Sequence, residues 1–296
     1  MKDKCRTTAV AALALLVVLV GCTASPPQSQ DEGDDLPGAP PGALADVSIE
    51  EYEDVRAILD YDHSLAETPL DEFSAQRPEF TIQVLHAIAV LADGCMEKQG
   101  HAPTAAERDW TPFLDNEDRT YGIWSVAYAS KYGRDLAPEA GAAEMEIDGM
   151  DVEELAAYET CINAARDELA DELVWLGSPE TIEVQIRFTA NELTLASDDG
   201  QQAKGNWVAC IEAAGVVVLP EDGMPVDAYR QKGKDAEIPA FVTAAECARS
   251  TGAVQTLYDL QARYEAALID AHAAEVDAYI ERSEEVLAVL QDAIDG

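Results

Sequence analysis

Two six-residue stretches, CMEKQG from Cys95 and CIEAAG from Cys210, each place a cysteine five residues before a glycine, and each is followed by a second cysteine, Cys161 in YETCIN and Cys247 in AAECAR. A thiol can serve as a nucleophile, a metal ligand or half of a disulfide, and its company decides which. The four histidines, His63, His86, His101 and His272, are scattered, with none paired at metal-ligand spacing. His86 and His272 fall within helical patterns and read as packed or surface residues. The chain contains no HExxH, GxSxG, SxxK or glycine-rich phosphate loop. Pairs of carboxylates that hydrolyse glycosides leave no local signature, so spacing alone is silent on them. Disulfide formation is the chemistry the cysteines point to. Four cysteines allow three connectivities, and the repeated contexts imply Cys95 with Cys161 and Cys210 with Cys247, as in a duplicated unit. The plainer alternative is four buried free thiols and a chance likeness of two short stretches.

A second feature is TYGIWSVAYASKYG, residues 120–133. Tyr121, Trp124, Tyr128 and Tyr132 recur at steps of three and four, which on a helix forms one aromatic stripe. Only 6% of the chain is aromatic, so the cluster stands out. Such a stripe is either core packing or an exposed platform for a cell-wall glycan or a protein partner.

The amino terminus supplies an address. Lys2, Lys4 and Arg6 precede an apolar run from Ala9 to Val20, about half the length that a membrane span requires, and so a signal-peptide core. Leu19-Val20-Gly21-Cys22 resembles the lipobox of bacterial lipoproteins, in which the cysteine receives a diacylglycerol and becomes the first residue after cleavage. That resemblance implies a signal peptide over residues 1–21, removed together with Cys5, and lipidation at Cys22. Acyl chains stabilise membrane attachment by about 0.8 kcal/mol per buried methylene. The following TASPPQSQDEGDDLPGAPPGALAD has five prolines and no aromatic residue. It cannot bury enough surface to offset the entropy of ordering. Residues 22–46 are therefore expected to be a disordered tether, reaching roughly 30 Å as a coil and up to about 70 Å if extended.

The net charge is −39, from 58 acidic and 19 basic residues, and loss of residues 1–21 makes it more negative still. Nucleic acid, which needs a positive surface, is excluded as a partner. Anionic lipid is repelled as well, leaving the acyl chains as the expected membrane contact. No calcium loop of the Asp-x-Asp-x-Asp-Gly type is present, so Glu146, Asp148 and Asp151, and Asp198 with Asp199, read as solvated loops. No metal and no cofactor is expected.

Periodicity then supplies the elements that must position these residues. Ser48-Ile-Glu-Glu51 reads as a capping box opening a helix to about Asp60. A loop with Pro69 and Pro78 precedes a helix from about Phe80 to Gln99, stopped by Gly100. Pro103 to Asp118, with Trp110 and Pro112, reads as irregular. A short helix spans Ile123 to Lys131 and is closed by Gly133. Asp151 caps a longer one that runs up to Gly177. Ser178-Pro179 reads as N-cap and first helical residue. Residues 181–195 alternate like a strand yet keep helical spacing, and are taken as helix. Gln201 to Ala214 forms a further helix closed by Gly215, with Val216 to Leu219 extended into Pro220. Ala253 to Asp295 contains neither glycine nor proline. It predicts one amphipathic helix of roughly 60 Å, or two pieces broken near His272. The expected fold is mainly α: a disulfide-stapled helical bundle with a long C-terminal helix and two pseudo-repeats, residues 47–177 forming one helical unit and 178–296 a second packed against it.

Cys-Met-Glu-x-x-Gly at 95–100, Tyr121-Gly122 with Tyr132-Gly133, Cys161 with Ala165-Arg166, Trp207-x-x-Cys210, and Glu246-Cys247 leading into a long Tyr/Ala/Glu-rich helix together resemble a group of actinobacterial surface lipoproteins with no established activity. The resemblance spans most of residues 68–296, although His101 and Val216 stand where that group more often has an aromatic residue. It implies location and a disulfide-bonded helical character, and no activity. The function expected is a non-catalytic cell-envelope lipoprotein, held to the extracytoplasmic face of the membrane through Cys22, that binds a wall component or an envelope protein. The alternative is an extracytoplasmic hydrolase or a transport-linked solute receptor.

Overall fold

The computed structural model describes residues 44–75, 77–102, 117–135, 150–219 and 224–296. The signal peptide, Cys22, most of the tether, Trp110, Pro112, Glu146, Asp148 and Pro220 lie outside the described residues. The described residues belong to one compact unit.

Among the described residues there are ten α-helices: α1 Pro78–Lys98, α2 Val126–Tyr132, α3 Val152–Glu168, α4 Ala170–Leu176, α5 Ile182–Ala196, α6 Asp198–Ala213, α7 Ala228–Gln231, α8 Lys234–Thr251, α9 Ala253–Ala271 and α10 Ala273–Asp295. A two-stranded antiparallel hairpin, β1 Ile58–Asp60 with β2 Leu65–Glu67, is the one sheet among the described residues, with Leu59 opposite Ala66. The mainly helical, disulfide-stapled bundle expected from the sequence is what forms, and of residues 181–195 all but Thr181, the N-cap, fall in helix α5.

Helix α9 is the hub. It packs against α5, α6, α8, α10 and the 3₁₀ turn Pro69–Glu72. Ten of its nineteen residues are buried, including Val254, Leu257, Tyr258, Leu260 and Leu268. One core gathers Trp124, Trp207, Ile211, Cys247, Val254, Leu257 and Tyr258. A second gathers Phe80, Ile88, Met96, Tyr158, Ile162, Tyr279 and Leu290, from α1, α3 and α10. Each core draws on residues from both sides of residue 177. Helix α1 is long and apolar enough to cross a membrane by length and composition; here it packs against α3 and α10 as part of the second core.

Each core carries one disulfide. Cys95 joins Cys161, linking α1 to α3, with Cα atoms 5.5 Å apart. Cys210 joins Cys247, linking α6 to α8, with Cα atoms 5.7 Å apart. The likeness between the two cysteine contexts extends to the backbone. In both helices the glycine five residues after the cysteine takes a positive φ, +91° at Gly100 and +85° at Gly215. His101 N–H then donates to Met96 O at 3.1 Å, and Val216 N–H to Ile211 O at 3.2 Å. These are the six-to-one bonds of a glycine-terminated helix end, which satisfy carbonyls left without an intrahelical partner.

Two of the local expectations that fail do so for a clear physical reason. Residues 48–60 do not form one helix: a 3₁₀ turn, Glu50–Tyr52, gives way to β1. Ser48 Oγ accepts only a marginal bond from Glu50 N–H at 3.4 Å, whereas Ala57 N–H donates to Asp259 on α9 at 3.1 Å and Gln255 donates to Ala57 O at 3.1 Å. A partner two hundred residues away outweighs the local cap. Ser178 is not the N-cap of α5; that cap is Thr181, whose side chain accepts from Val184 N–H. The apolar pattern from 253 to 295 takes the second of its two expected forms, two pieces broken at His272, with φ −121° and ψ 31°, which are α9 and α10. The second of these, with 23 residues, is about 35 Å long.

The loops closed by the disulfides, 66 and 37 residues, are each worth about 4 kcal/mol by chain entropy. Serine at both Cys95 and Cys161 should therefore lower the unfolding free energy by roughly that amount in urea titrations at unchanged helicity. A midpoint equal to that of the wild type would show that this staple does not stabilise the fold.

Candidate functional site

The segment 117–125, between the hairpin and α2, lies over the end of the first core. Asp118 N–H donates to Ser64 O at 2.7 Å, and Ser64 Oγ donates back to Asp118 O at 3.2 Å. Tyr258 on α9 donates its hydroxyl to Asp118 Oδ1 at 2.5 Å. Arg119 donates to Glu117 Oε2 at 2.5 Å and to the carbonyls of Arg134 and Asp135. Glu117 has a fully buried side chain. Burial raises its pKa, against the opposing pull of Arg119. Segment 117–125 is thereby tied to the hairpin, to α9 and to the chain after α2.

Beside these ties lies a cavity of about 370 Å³, lined by Arg119, Thr120, Tyr121, Gly122, Ile123, Leu195, Lys204, Trp207, Met224 and Leu257. Gly122 sits at φ +96°, and a Cβ there would come within 2.9 Å of the Trp207 ring and 3.1 Å of Met224 Sδ. Only glycine allows both the conformation and this approach. Trp207 is fixed from behind by its indole N–H, which donates to Ala244 O at 2.8 Å. Among the described residues the wall thus has two aromatics, Tyr121 and Trp207, several other apolar side chains and two cations.

Of the four aromatic residues singled out by spacing, the structure separates two from two. Tyr121 and Trp124 precede α2 and are buried, Trp124 completely. Tyr128 and Tyr132 lie on α2, half-buried, with ring centroids 5.9 Å apart. A single stripe does not form, because the helix starts only at Val126, capped by Ser125. Tyr121 and Trp124 join Tyr258 and Tyr61 instead, in edge-to-face contacts at 4.9, 5.8 and 5.4 Å. Tyr61 and Tyr258 were beyond sequence reasoning, since nothing local links residues so far apart. The same holds for the remaining cavity wall, supplied by α5, α6 and α9. Burial drives the Tyr121 hydroxyl to a raised pKa although Thr194 and Asn191 face it, and it has no hydrogen-bond partner of normal geometry among the described residues.

A second polar assembly lies between the 3₁₀ turn Pro69–Glu72, α5, α9 and α10. Glu183 accepts from Ser74 Oγ at 2.6 Å, from Tyr279 OH at 2.7 Å and from Arg187 at 3.2 Å. Arg187 also reaches Asp71 at 3.4 Å. Its own burial opposes the charge, and the surrounding carboxylates outweigh that burial and raise its pKa. Glu265 is wholly enclosed, accepting from Leu70 N–H at 3.2 Å and Gln261 at 2.7 Å. Its pKa is raised, because desolvation exceeds the help of these donors and of Arg187. Among the described residues no three His, Cys, Asp or Glu side chains are grouped to hold a metal ion.

Fold and site together define a disulfide-stapled helical bundle with an apolar, cation-bearing cavity over one core. No protein-family model, curated protein or solved structure matches the chain.

Two variants test this description. Trp124→Ala should cost about 3–5 kcal/mol, since a fully buried indole is removed, and lower the melting temperature by about 10 °C; an unchanged melt would mean that the ring is not in the core. Glu265→Gln probes the raised carboxyl. A carboxyl protonated more readily in the folded than in the unfolded state loses stability as pH rises from its ordinary value, about 4.3, through its folded value. The glutamine variant should match the wild type at the acidic end and gain on it with rising pH. A stability difference independent of pH in urea titrations from pH 4 to 8 would contradict the burial of an ionisable group at 265.

Proposed function

We propose that the protein is a non-catalytic lipoprotein of the cell envelope, attached to the extracytoplasmic face of the membrane by acyl chains on Cys22, whose helical domain binds a wall component or an envelope protein. The observation that carries this reading is the pairing of Cys95, Cys161, Cys210 and Cys247 into two disulfides. Such bonds form and persist in oxidising compartments, which is where the lipobox-like Leu19-Val20-Gly21-Cys22 would deliver the chain. The charge of −39 supports attachment through lipid rather than through a basic surface. The tether would hold the domain clear of the headgroups.

The alternative, a lipid-anchored receptor for a small solute, is favoured by one observation, the cavity of about 370 Å³ beside Trp207, which falls at the lower end of the range for small-molecule sites. In both readings the domain binds and does not transform.

Phase partitioning in a detergent that clouds on warming tests the anchor. The wild type, expressed in a bacterium that processes lipoproteins, should enter the detergent phase, and Cys22→Ala the aqueous phase. Equal partitioning of the two would refute lipidation at Cys22.

A further inference from the structure

We infer that Glu265, with Asp71, Glu183 and Arg187 around it, forms a proton-operated latch on residues 68–75, closed while Glu265 holds a proton and opening locally once that proton is lost. The inference rests neither on how the chain is anchored nor on what the domain binds.

The count of charges is the first reason. Three carboxyl groups, Asp71, Glu183 and Glu265, surround one guanidinium, that of Arg187. Arg187 donates to Asp71 at 3.4 Å and to Glu183 at 3.2 Å. Asp71 also accepts from the N–H and the hydroxyl of Thr68, at 2.8 and 2.9 Å, and Glu183 from Ser74 and Tyr279. Each of these two acids is thus met by the cation and by two further donors. Glu265 is wholly enclosed, and its bonds come from two neutral groups, Leu70 N–H and Gln261. Helices α6, α8 and α10, which also pack on α9, bring no charged group among the described residues into a bond with it. The other titratable groups facing the cluster are phenols, Tyr121 beside Glu265 and Tyr279 on Glu183, and burial keeps both neutral. An enclosed carboxyl with no bonded cation keeps its proton, because its charge would be desolvated without recompense. Burial accordingly raises the pKa of Glu265 further than Thr68, Gln261, Arg187 and Leu70 N–H lower it.

The second reason is what holds the segment. Its one regular element is the 3₁₀ turn Pro69–Glu72, and side chains from elsewhere secure its backbone. Leu70 N–H donates to Glu265 at 3.2 Å, and Ala75 N–H to Tyr279 OH at 3.1 Å, which in turn donates to Glu183. Stretches with so little helix or sheet pairing open apart from the rest of a fold. Leu70, buried with Ile186, Ala190, Leu268 and Val276, must withdraw for this to happen, so the open form is the minor one. Opening hydrates Glu265 and returns it to the ordinary carboxyl range, about 4.3. From that pH up to the enclosed group's own value the closed form binds one proton more than the open form. The open fraction therefore climbs about tenfold per pH unit across that interval and levels off beyond it. Acid fastens, and higher pH loosens, the stretch that joins the hairpin to α1.

Hydrogen exchange read by mass spectrometry between pH 5 and pH 8 tests this, with each rate divided by the intrinsic rate at the same pH. The full chain is used in lipid nanodiscs, or free in buffer should Cys22 carry no lipid, so the latch and the anchor fail separately. Protection of a peptide covering residues 66–75 should fall at least tenfold over this range in the wild type. A reference peptide within α6, residues 202–212, should keep its protection. Glu265→Gln, which has no proton to lose, should remove the fall, and Glu265→Met serves as the neutral variant should the glutamine form melt early at pH 5. Protection of residues 66–75 that does not change with pH would overturn the inference. So would an equal fall in both peptides, which would make the opening global, or an undiminished fall in the neutral variant.

Discussion

The burial of α9 is the constraint on which the rest of the structure depends. A helix packed against four others and a 3₁₀ turn has little of its circumference left for water, so its polar residues must find partners inside the protein or lose their hydration. Asp259 meets the backbone of Ala57, Gln261 meets Glu265, Glu265 meets Leu70 N–H, and Tyr258 meets Asp118. Apart from the Gln261–Glu265 pair, which lies within α9, each partner belongs to a segment with little regular structure of its own. The hairpin, the turn Pro69–Glu72 and the strip before α2 are therefore placed by the unmet hydrogen bonds of one helix. The acid network around Arg187 extends this to α5 and α10, where Tyr279 closes the circuit on Glu183.

The disulfides act at a different level. They join neighbours that already pack, α1 with α3 and α6 with α8, and their effect falls chiefly on the unfolded chain. The matched helix ends after Cys95 and Cys210 show why cysteine and glycine keep the same spacing in both places. The thiol lies in the last turn, where it faces the partner helix, and the glycine two residues beyond the helix turns the chain away. Each staple thus fixes where a helix stops as well as what it touches. This matters for a chain of net charge −39, whose self-repulsion works against the compact state.

What could be read from the sequence follows from how local the cause is. The stops at Gly100, Gly133 and Gly215 and the cap at Asp151 were legible, because a positive φ or a side-chain acceptor acts within a few residues. The disulfide pairing was legible through repeated context. Residues 48–60 were not, since the competitor to Ser48 is Asp259. Trp124 illustrates the divide within one segment: spacing marked it as notable, but the partners that bury it, Tyr61 and Tyr258, become neighbours only once α9 is in place. The cavity was invisible for the same reason, as Leu195, Lys204, Trp207 and Leu257 come from three helices.

The segment 117–125 gains its significance from standing between these two levels. On one side Asp118 ties it to Tyr258, inside the most buried helix; on the other Gly122 and Tyr121 face the cavity. A ligand in that cavity would press on a wall whose back is the aromatic group Tyr61, Trp124 and Tyr258. That group is close-packed, and close-packed side chains resist small displacements. The wall is therefore pre-formed, and the entropy of shaping it is met at folding and not at binding. The hydrogen bonds from Arg119 to Glu117 and to the carbonyls of Arg134 and Asp135 add to that stiffness.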